Sequence, residues 1–260
     1  MGLTEVTKGQ PAQVVRLAAA GDVHSRETRR DELARSFAAL SEQNVDLLLL
    51  AGDLTTWGLP EEAAVLAAAR QALAAPVVAV LGNHDWHSQR VDEVRDALVR
   101  GGIEVLERSW TIHAVDGQEV GIAGTKGFVG GFGRAHLPDF GEPLLREVYA
   151  ETSRDVDALD EGLRAISNCS LRIALLHYSP IEATLEGEPP DIWPFLGAER
   201  LSIPILEHCP DLVLHGHAHA GRHEGRIGEV PVYNVSAPVI GRDFWILEAS
   251  VEPTRAAPIR

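Results

Sequence analysis

The chain has 260 residues, 45% of them apolar and 23% charged, the composition of a globular protein able to bury a sizeable core. Its formal net charge of −15 excludes the basic surface that non-specific binding to long nucleic acid or anionic membrane requires. Its two cysteines, Cys169 and Cys209, make no disulfide framework and suit a reducing compartment. Met1 to Gln13 lacks a signal pattern and no apolar run reaches spanning length. A cytoplasmic protein is therefore expected, built as a single domain over residues 1–260 with residues 1–13 as a flexible lead-in.

Val14 to Ala20 is a short apolar run and the first expected strand. Leu33, Ala34, Phe37 and Leu40 have helical spacing within Glu27 to Leu40. Val45 to Leu50 is a second apolar run, ending at Ala51-Gly52-Asp53, and Pro60 can open the helix Glu61 to Ala74 because its missing N–H costs nothing there. A third strand, Val77 to Leu81, leads into Gly82-Asn83-His84-Asp85, and Gly101-Gly102 closes a helix around Arg90 to Arg100. This alternation is that of a parallel sheet. Asp116-Gly117 between Trp110 to Val115 and Gln118 to Gly124 then signals a hairpin needing φ > 0 at both turn positions. Gly121 to Gly133 reads as an irregular, mobile flap that brings Lys126 or Phe128 to a site. Glu142 to Asn168 reads as a long helix, Leu171 to Leu176 as a strand ending at His177, and 180–196 as loop. A helix over Ala198 to His208 and a strand over Leu212 to Leu214 precede His215-Gly216-His217-Ala218-His219. Val230 to Val235 and Phe244 to Val251 are expected as antiparallel strands.

The apolar runs share one property: each stops at residues of metal-ligand type. These are Asp22-Val23-His24, Gly52-Asp53, Asn83-His84-Asp85, His177 and His217-Ala218-His219. Alternate residues of an extended chain share a face, so Asp22 with His24, and His217 with His219, can each converge on one side. Carboxylate, imidazole and one amide suit Mn²⁺, Fe or Zn²⁺ better than Ca²⁺ or a thiolate-bound ion. Seven candidate ligands exceed what one tetrahedral zinc needs, and two metals sharing a carboxylate would use them all. Any one of these motifs alone could be a hydrogen-bonded polar turn; their repetition at separate strand ends argues for a centre.

In order and type the residues resemble the calcineurin-like metallophosphoesterase superfamily, whose signature D-x-H, G-D, G-N-H-D/E, H and G-H-x-H is present in full between Asp22 and His219. The resemblance implies an α/β fold of four layers, an α/β/β/α sandwich with mixed sheets and a two-metal centre at the sheet edge. It also implies that Asp22, His24, Asp53 and His219 hold one metal and Asp53, Asn83, His177 and His217 the other, with Asp53 bridging. His84 would lie beside them as proton donor or transition-state stabiliser. Two cations about 3.5–4 Å apart can clamp the attacking and leaving oxygens of an in-line phosphoryl displacement, so hydrolysis of a small phosphate ester by metal-bound hydroxide is expected.

Protein phosphatases of this superfamily carry G-D-x-V-D-R-G, and here Thr56 and Trp57 replace the second Asp and the Arg of that motif. The substitution leaves the partner of His84 open and favours a phosphodiesterase-like member. A phosphomonoesterase, a nuclease and a non-catalytic metal-binding scaffold stand as alternatives. His215 and His223 are expected behind the ligands or in solvent, Trp86 and His87 against the pocket or in simple packing, Arg26, Lys126, Arg134 and His136 as solvated surface residues that are also candidate phosphate contacts, and Trp193 and Phe195 as stacking or core residues.

Overall fold

The computed structural model describes residues 13–251. In chain order the elements are β1 (Gln13–Ala20), α1 (Arg30–Ser41), β2 (Leu47–Ala51), α2 (Pro60–Arg70), β3 (Val77–Val80), α3 (Val91–Arg100) and β4 (Ile103–Leu106). There follow β5 (Ser109–Val115), β6 (Gln118–Gly124), β7 (Gly131–Phe132), β8 (Ala135–His136), α4 (Pro143–Ala165), β9 (Leu171–Leu175) and α5 (Trp193–Leu196). The chain continues through α6 (Ser202–His208), β10 (Leu212–His215), β11 (Glu224–Ile227), β12 (Val230–Asn234), α7 (Ala237–Ile240) and β13 (Trp245–Val251). No helix among the described residues is long and apolar enough to cross a membrane.

Two large sheets carry the fold, a 5-stranded one ordered β13-β1-β2-β3-β4 and a 6-stranded one ordered β11-β12-β10-β9-β6-β5. In the first, β1 to β4 run parallel and β13 lies antiparallel on β1; in the second, β6, β9, β10 and β12 run parallel. Period-two alternation sorts the strand residues between layers. From β1, Leu17 and Ala19 face the second sheet, meeting Val120, Ile122, Ile173 and Leu214. Ala18 and Ala20 face the other way, onto Leu33, Phe37 and Leu66 of α1 and α2. On the far side Ala174, Val213 and Val232 pack under Leu159 and Leu163 of α4 and Ile205 of α6. The result is the α/β/β/α arrangement, with cores on both sides of each sheet. Each fully buried Leu or Ile contributes about 1.5–3 kcal/mol, enough to explain why these strands are apolar on both faces.

Asp116 and Gly117 take φ of 47° and 80°, as the hairpin between β5 and β6 requires. Several expectations need correction. The edge strands β4 and β11 lie where no strand was expected, and 180–196 folds into short helical turns rather than plain loop. β12 is antiparallel only to β11 and runs parallel to β10, because the chain reverses through β11 before entering the sheet. Gly121–Gly124 belongs to β6, and the segment after it is tied down rather than free. His177 and Tyr178 both donate backbone N–H bonds to Lys126 O at 3.0 Å, and Gly131 N donates to Gly197 O at 2.9 Å. Of the flexible lead-in expected for residues 1–13, residues 1–12 lie outside the described residues, and Gln13 instead opens β1.

Candidate metal centre

Parallel strands bring their carboxyl ends to one edge, and here the two sheets meet at that edge. Gly21, after β1, donates to Val235 O at 2.7 Å and accepts from Ala237 N at 3.0 Å, both in the segment after β12. The polar residues that end the apolar runs therefore converge from both sheets. Asp22, His24 and His219 form one cluster, and Asp53, His177 and His217 a second, each with possible ligand atoms within 4.8 Å of one another. Asp53 also groups with His24 and His84.

The backbone is bent sharply to achieve this. Asp22, His24, Asp53 and His217 take φ of 58°, 47°, 48° and 71°, left-handed conformations that cost about 1–3 kcal/mol each for a residue with a side chain and cluster at functional sites. Gly52 has φ of 82°, and a Cβ there would lie 2.4 Å from His177 Nδ1. At Gly82 a Cβ would lie 2.1 Å from Asp53 Oδ1. Both glycines are thus needed for close approach.

Hydrogen bonds fix which ring atoms face the centre. His177 Nδ1 lies 2.8 Å from Ala51 O, and since a carbonyl only accepts, that nitrogen carries the proton. In the neutral ring Nε2 then bears a lone pair, yet it faces Asn83 Oδ1 at 2.9 Å and Asp53 Oδ1 at 3.4 Å. Three acceptors so placed repel one another unless a positive species lies among them, so the residues fit a bound cation. His217 donates from Nε2 to Phe195 O at 3.2 Å, leaving Nδ1 as its lone-pair atom. Burial, with nearby His177, pushes its pKa down to about 3, so the ring is neutral. Burial likewise lowers the pKa of His24, whose Nδ1 is buried without a hydrogen-bond partner among the described residues. Asp22 is buried, which alone would raise its pKa, but hydrogen bonds from His219 Nε2 at 2.9 Å and His217 N at 3.0 Å hold it well below the usual carboxylate range. Two neutral imidazoles beside an ionised carboxylate form a donor set of the kind that binds first-row divalent ions.

Around these atoms lie residues whose part the sequence did not show. Asp85 is fully buried and accepts from Gly82 N at 2.8 Å, Thr55 N at 2.8 Å, Thr55 Oγ1 at 2.6 Å and Leu54 N at 3.2 Å. It ties the loop after β2 to the loop after β3. Burial and the charge of Asp53 nevertheless push its pKa up to about 6. Glu62 accepts from Thr56 N at 3.1 Å and Trp57 N at 2.7 Å, holding the same loop from α2. A Glu three positions into a helix opened by Pro60 was the available signal. His215 is buried on Thr184 Oγ1 and its own neighbour's carbonyl, and His223 donates to Asn234 O, so neither enters the clusters. Trp86 lines a cavity beside Asn83, whereas His87 rests on Trp57 with ring centres 5.5 Å apart. Trp193 packs into the small core of Phe132, Leu185 and Leu196, and Phe195 is exposed. Arg26 and Arg134 are exposed, and His136 lines a separate cavity near α6.

The model of the calcineurin-like phosphoesterase family matches residues 15–221. Among curated proteins none matches the chain in sequence. Among solved structures, the protein TT1561 of Thermus thermophilus is similar at 17% identity and a TM-score of 0.59, covering 92% of this chain and 99% of its own. The phosphopantetheinyl hydrolase of Mycobacterium tuberculosis is similar at 16% identity and a TM-score of 0.61, over 85% of this chain and 88% of its own. A dimetal phosphatase of Danio rerio is similar at 13% identity and a TM-score of 0.57, over 89% of this chain and 91% of its own. At these identities the likeness is one of fold, and it accords with the sandwich described above. With its strand-end clusters and a family match running from β1 past the last of them, the chain belongs to the calcineurin-like phosphoesterase family and is a hydrolase of phosphoric esters.

Proposed function

We propose that the protein hydrolyses a small phosphodiester with two divalent ions, Mn, Fe or Zn, held by the residues named from the sequence. Asp53 carries this reading. Its Oδ1 lies 3.4 Å from His177 Nε2 and its Oδ2 4.0 Å from His24 Nε2, so one carboxylate offers a different oxygen to each cluster. Asp22, His24, Asp53 and His219 would hold one ion, and Asp53, Asn83, His177 and His217 the other. Such a pair supplies positive charge to the phosphoryl oxygens and lowers the pKa of a nearby water.

The chain's own residues do the rest. Ala51 O and Phe195 O orient His177 and His217. His84 hydrogen-bonds through Nδ1 to Thr56 O at 2.8 Å and has Nε2 3.9 Å from Asp53 Oδ2, a position from which Nε2 can give a proton to the departing alkoxide or phenolate. A scaffold that only bound metal would have no use for that nitrogen. The net charge of −15 favours small substrates over long polyanions, the centre itself supplying the local attraction. Both cysteines are free, which suits work in a reducing cytoplasm.

Protein reconstituted with each metal in turn should cleave bis-p-nitrophenyl phosphate faster than p-nitrophenyl phosphate. Activity confined to the monoester would overturn the diester assignment, and activity undiminished by chelation would overturn the metal assignment.

A further inference from the structure

Beside Asn83 lies a cavity of about 360 Å³ walled by Trp86, Lys126, Phe128, Glu151 and Tyr178. Lys126 is its unusual member. Its ammonium sits 4.3 Å from the ring centre of Phe128, 5.1 Å from that of Tyr178 and 6.0 Å from that of Trp86. Its Nζ makes one hydrogen bond, to Gly127 O at 3.0 Å, and joins no ion pair among the described residues. The nearby acids are largely engaged: Arg108 pairs with Glu151 and, at 2.9 Å, with Asp155 Oδ1, and Arg154 also pairs with Glu151, which leaves only Asp155 Oδ2 of these carboxylate oxygens without a hydrogen-bond partner among the described residues. Burial, the largest influence, pulls the pKa of Lys126 down, against partial support from Asp155 and Glu151. Ring faces attract a cation but leave its remaining N–H donors unused.

The placement is not loose. Lys126 O accepts from both His177 N and Tyr178 N at 3.0 Å, and the Tyr178 ring lies 4.4 Å from that of His217. The same residue whose backbone is tied to the end of β9 thus projects its charge into the space next to the proposed ligand Asn83. A half-buried ammonium with unused donors and no ion pair among the described residues is completed by an anionic oxygen arriving with a ligand.

We infer that this cavity receives one ester arm of the substrate, and that Lys126 selects an arm bearing its own anionic group, a carboxylate or a further phosphate. The inference rests on the phosphodiesterase reading and deepens it. Glu151 does not oppose it, since its charge is shared between two guanidinium groups. Trp86, 41% exposed, offers a flat apolar wall to the body of that arm.

Two diesters with the same p-nitrophenyl leaving group isolate the effect, one with phenyl and one with 4-carboxyphenyl as the second arm. The metal-loaded protein should prefer the carboxyphenyl diester by about tenfold in kcat/KM, the worth of one charge-assisted hydrogen bond, and the difference should lie mainly in KM. Lys126→Met, of similar length, should bring the ratio of the two kcat/KM values close to one, while Lys126→Arg retains a preference. Melting temperatures of the variants show whether each is folded. Equal kcat/KM for the two diesters in the wild type, or a preference that survives Lys126→Met, would overturn the assignment of Lys126 and leave the phosphodiesterase reading standing. Hydrolysis of neither diester would overturn both.

Discussion

His84 and Thr56 are joined through the ring Nδ1 of one and the backbone carbonyl oxygen of the other, 2.8 Å apart. Thr56 stands where protein phosphatases of the superfamily place an aspartate, so a neutral main-chain group here orients the imidazole that a carboxylate would otherwise hold. Carbonyl acceptance keeps a proton on Nδ1, so Nε2, turned toward Asp53, is the ring nitrogen that takes up and gives the second proton.

His84 meets the clusters at Asp53 and against the ring of His24, with centres 4.6 Å apart, but is not among the proposed ligands, so His84→Ala should keep both metals. Turnover should fall by about 10²–10⁴-fold, the usual contribution of a positioned general acid. Metal analysis alongside kcat checks this, and an ion missing from the variant would show His84 to be a ligand.

Asp53→Asn should lower occupancy of both positions, since an amide is a poor bridge and its neutral charge no longer offsets two cations. His24→Ala should mainly empty one. Metal-to-protein ratios of the purified variants separate the cases. A ratio of two retained in Asp53→Asn would end the bridged model.

Gly82→Ala tests the geometry without removing a ligand. The added Cβ would meet Asp53 Oδ1 at 2.1 Å and Asp53 N at 2.2 Å, so the carboxylate must move. Activity should drop by about 10²-fold, as expected for a misplacement near 1 Å, with reduced metal content and little change in circular dichroism. Wild-type activity would show that the loop yields without consequence.

The link between α4 and α6 has a predictable pH dependence. Asp160 accepts from His208 Nε2 at 2.7 Å and from Arg164 at 2.5 Å. The His208 hydrogen bond is the main cause holding its pKa below the ordinary carboxylate value. A depressed carboxylate stabilises the fold above its unfolded pKa, and that stability is lost as pH falls through the lower folded pKa. Asp160→Asn should therefore melt about 1–3 °C lower than wild type at pH 7, and the gap should close in acid. A gap that widens below about pH 4, the unfolded carboxylate range, would contradict this.

The sandwich and the gathering of polar residues at its strand ends were legible because apolar runs that end in Asp, His or Asn leave little else for those residues to do. Asp22, Asp53, Asn83, His177 and His217 all lie where the ends of β1, β2, β3, β9 and β10 place them. What escaped the sequence was carried by main chain or by edges. The carbonyls of Thr56 and Ala51 that orient His84 and His177 leave no trace in side-chain pattern. The edge strands β4 and β11, Ile-Glu-Val-Leu and Glu-Gly-Arg-Ile, are short and interrupted by polar residues, so their pairing is decided by neighbours rather than by propensity. The glycine-rich stretch after β6 reads as mobile by composition, yet backbone donors from Tyr178 and Gly131 anchor it.

Asp22 and His219, 2.9 Å apart in space, are separated by 197 positions along the chain. No fragment short of nearly the whole fold can bring them together, and such distant contacts form only after the costliest loop closures. Catalytic competence is therefore a late event in the life of the polypeptide. A chain still emerging during synthesis, cut between the sheets, or trapped with the second sheet undocked lacks one half of each proposed cross-sheet ligand set. Hydrolysis cannot begin in a partly folded molecule, and the appearance of activity marks the completion of folding.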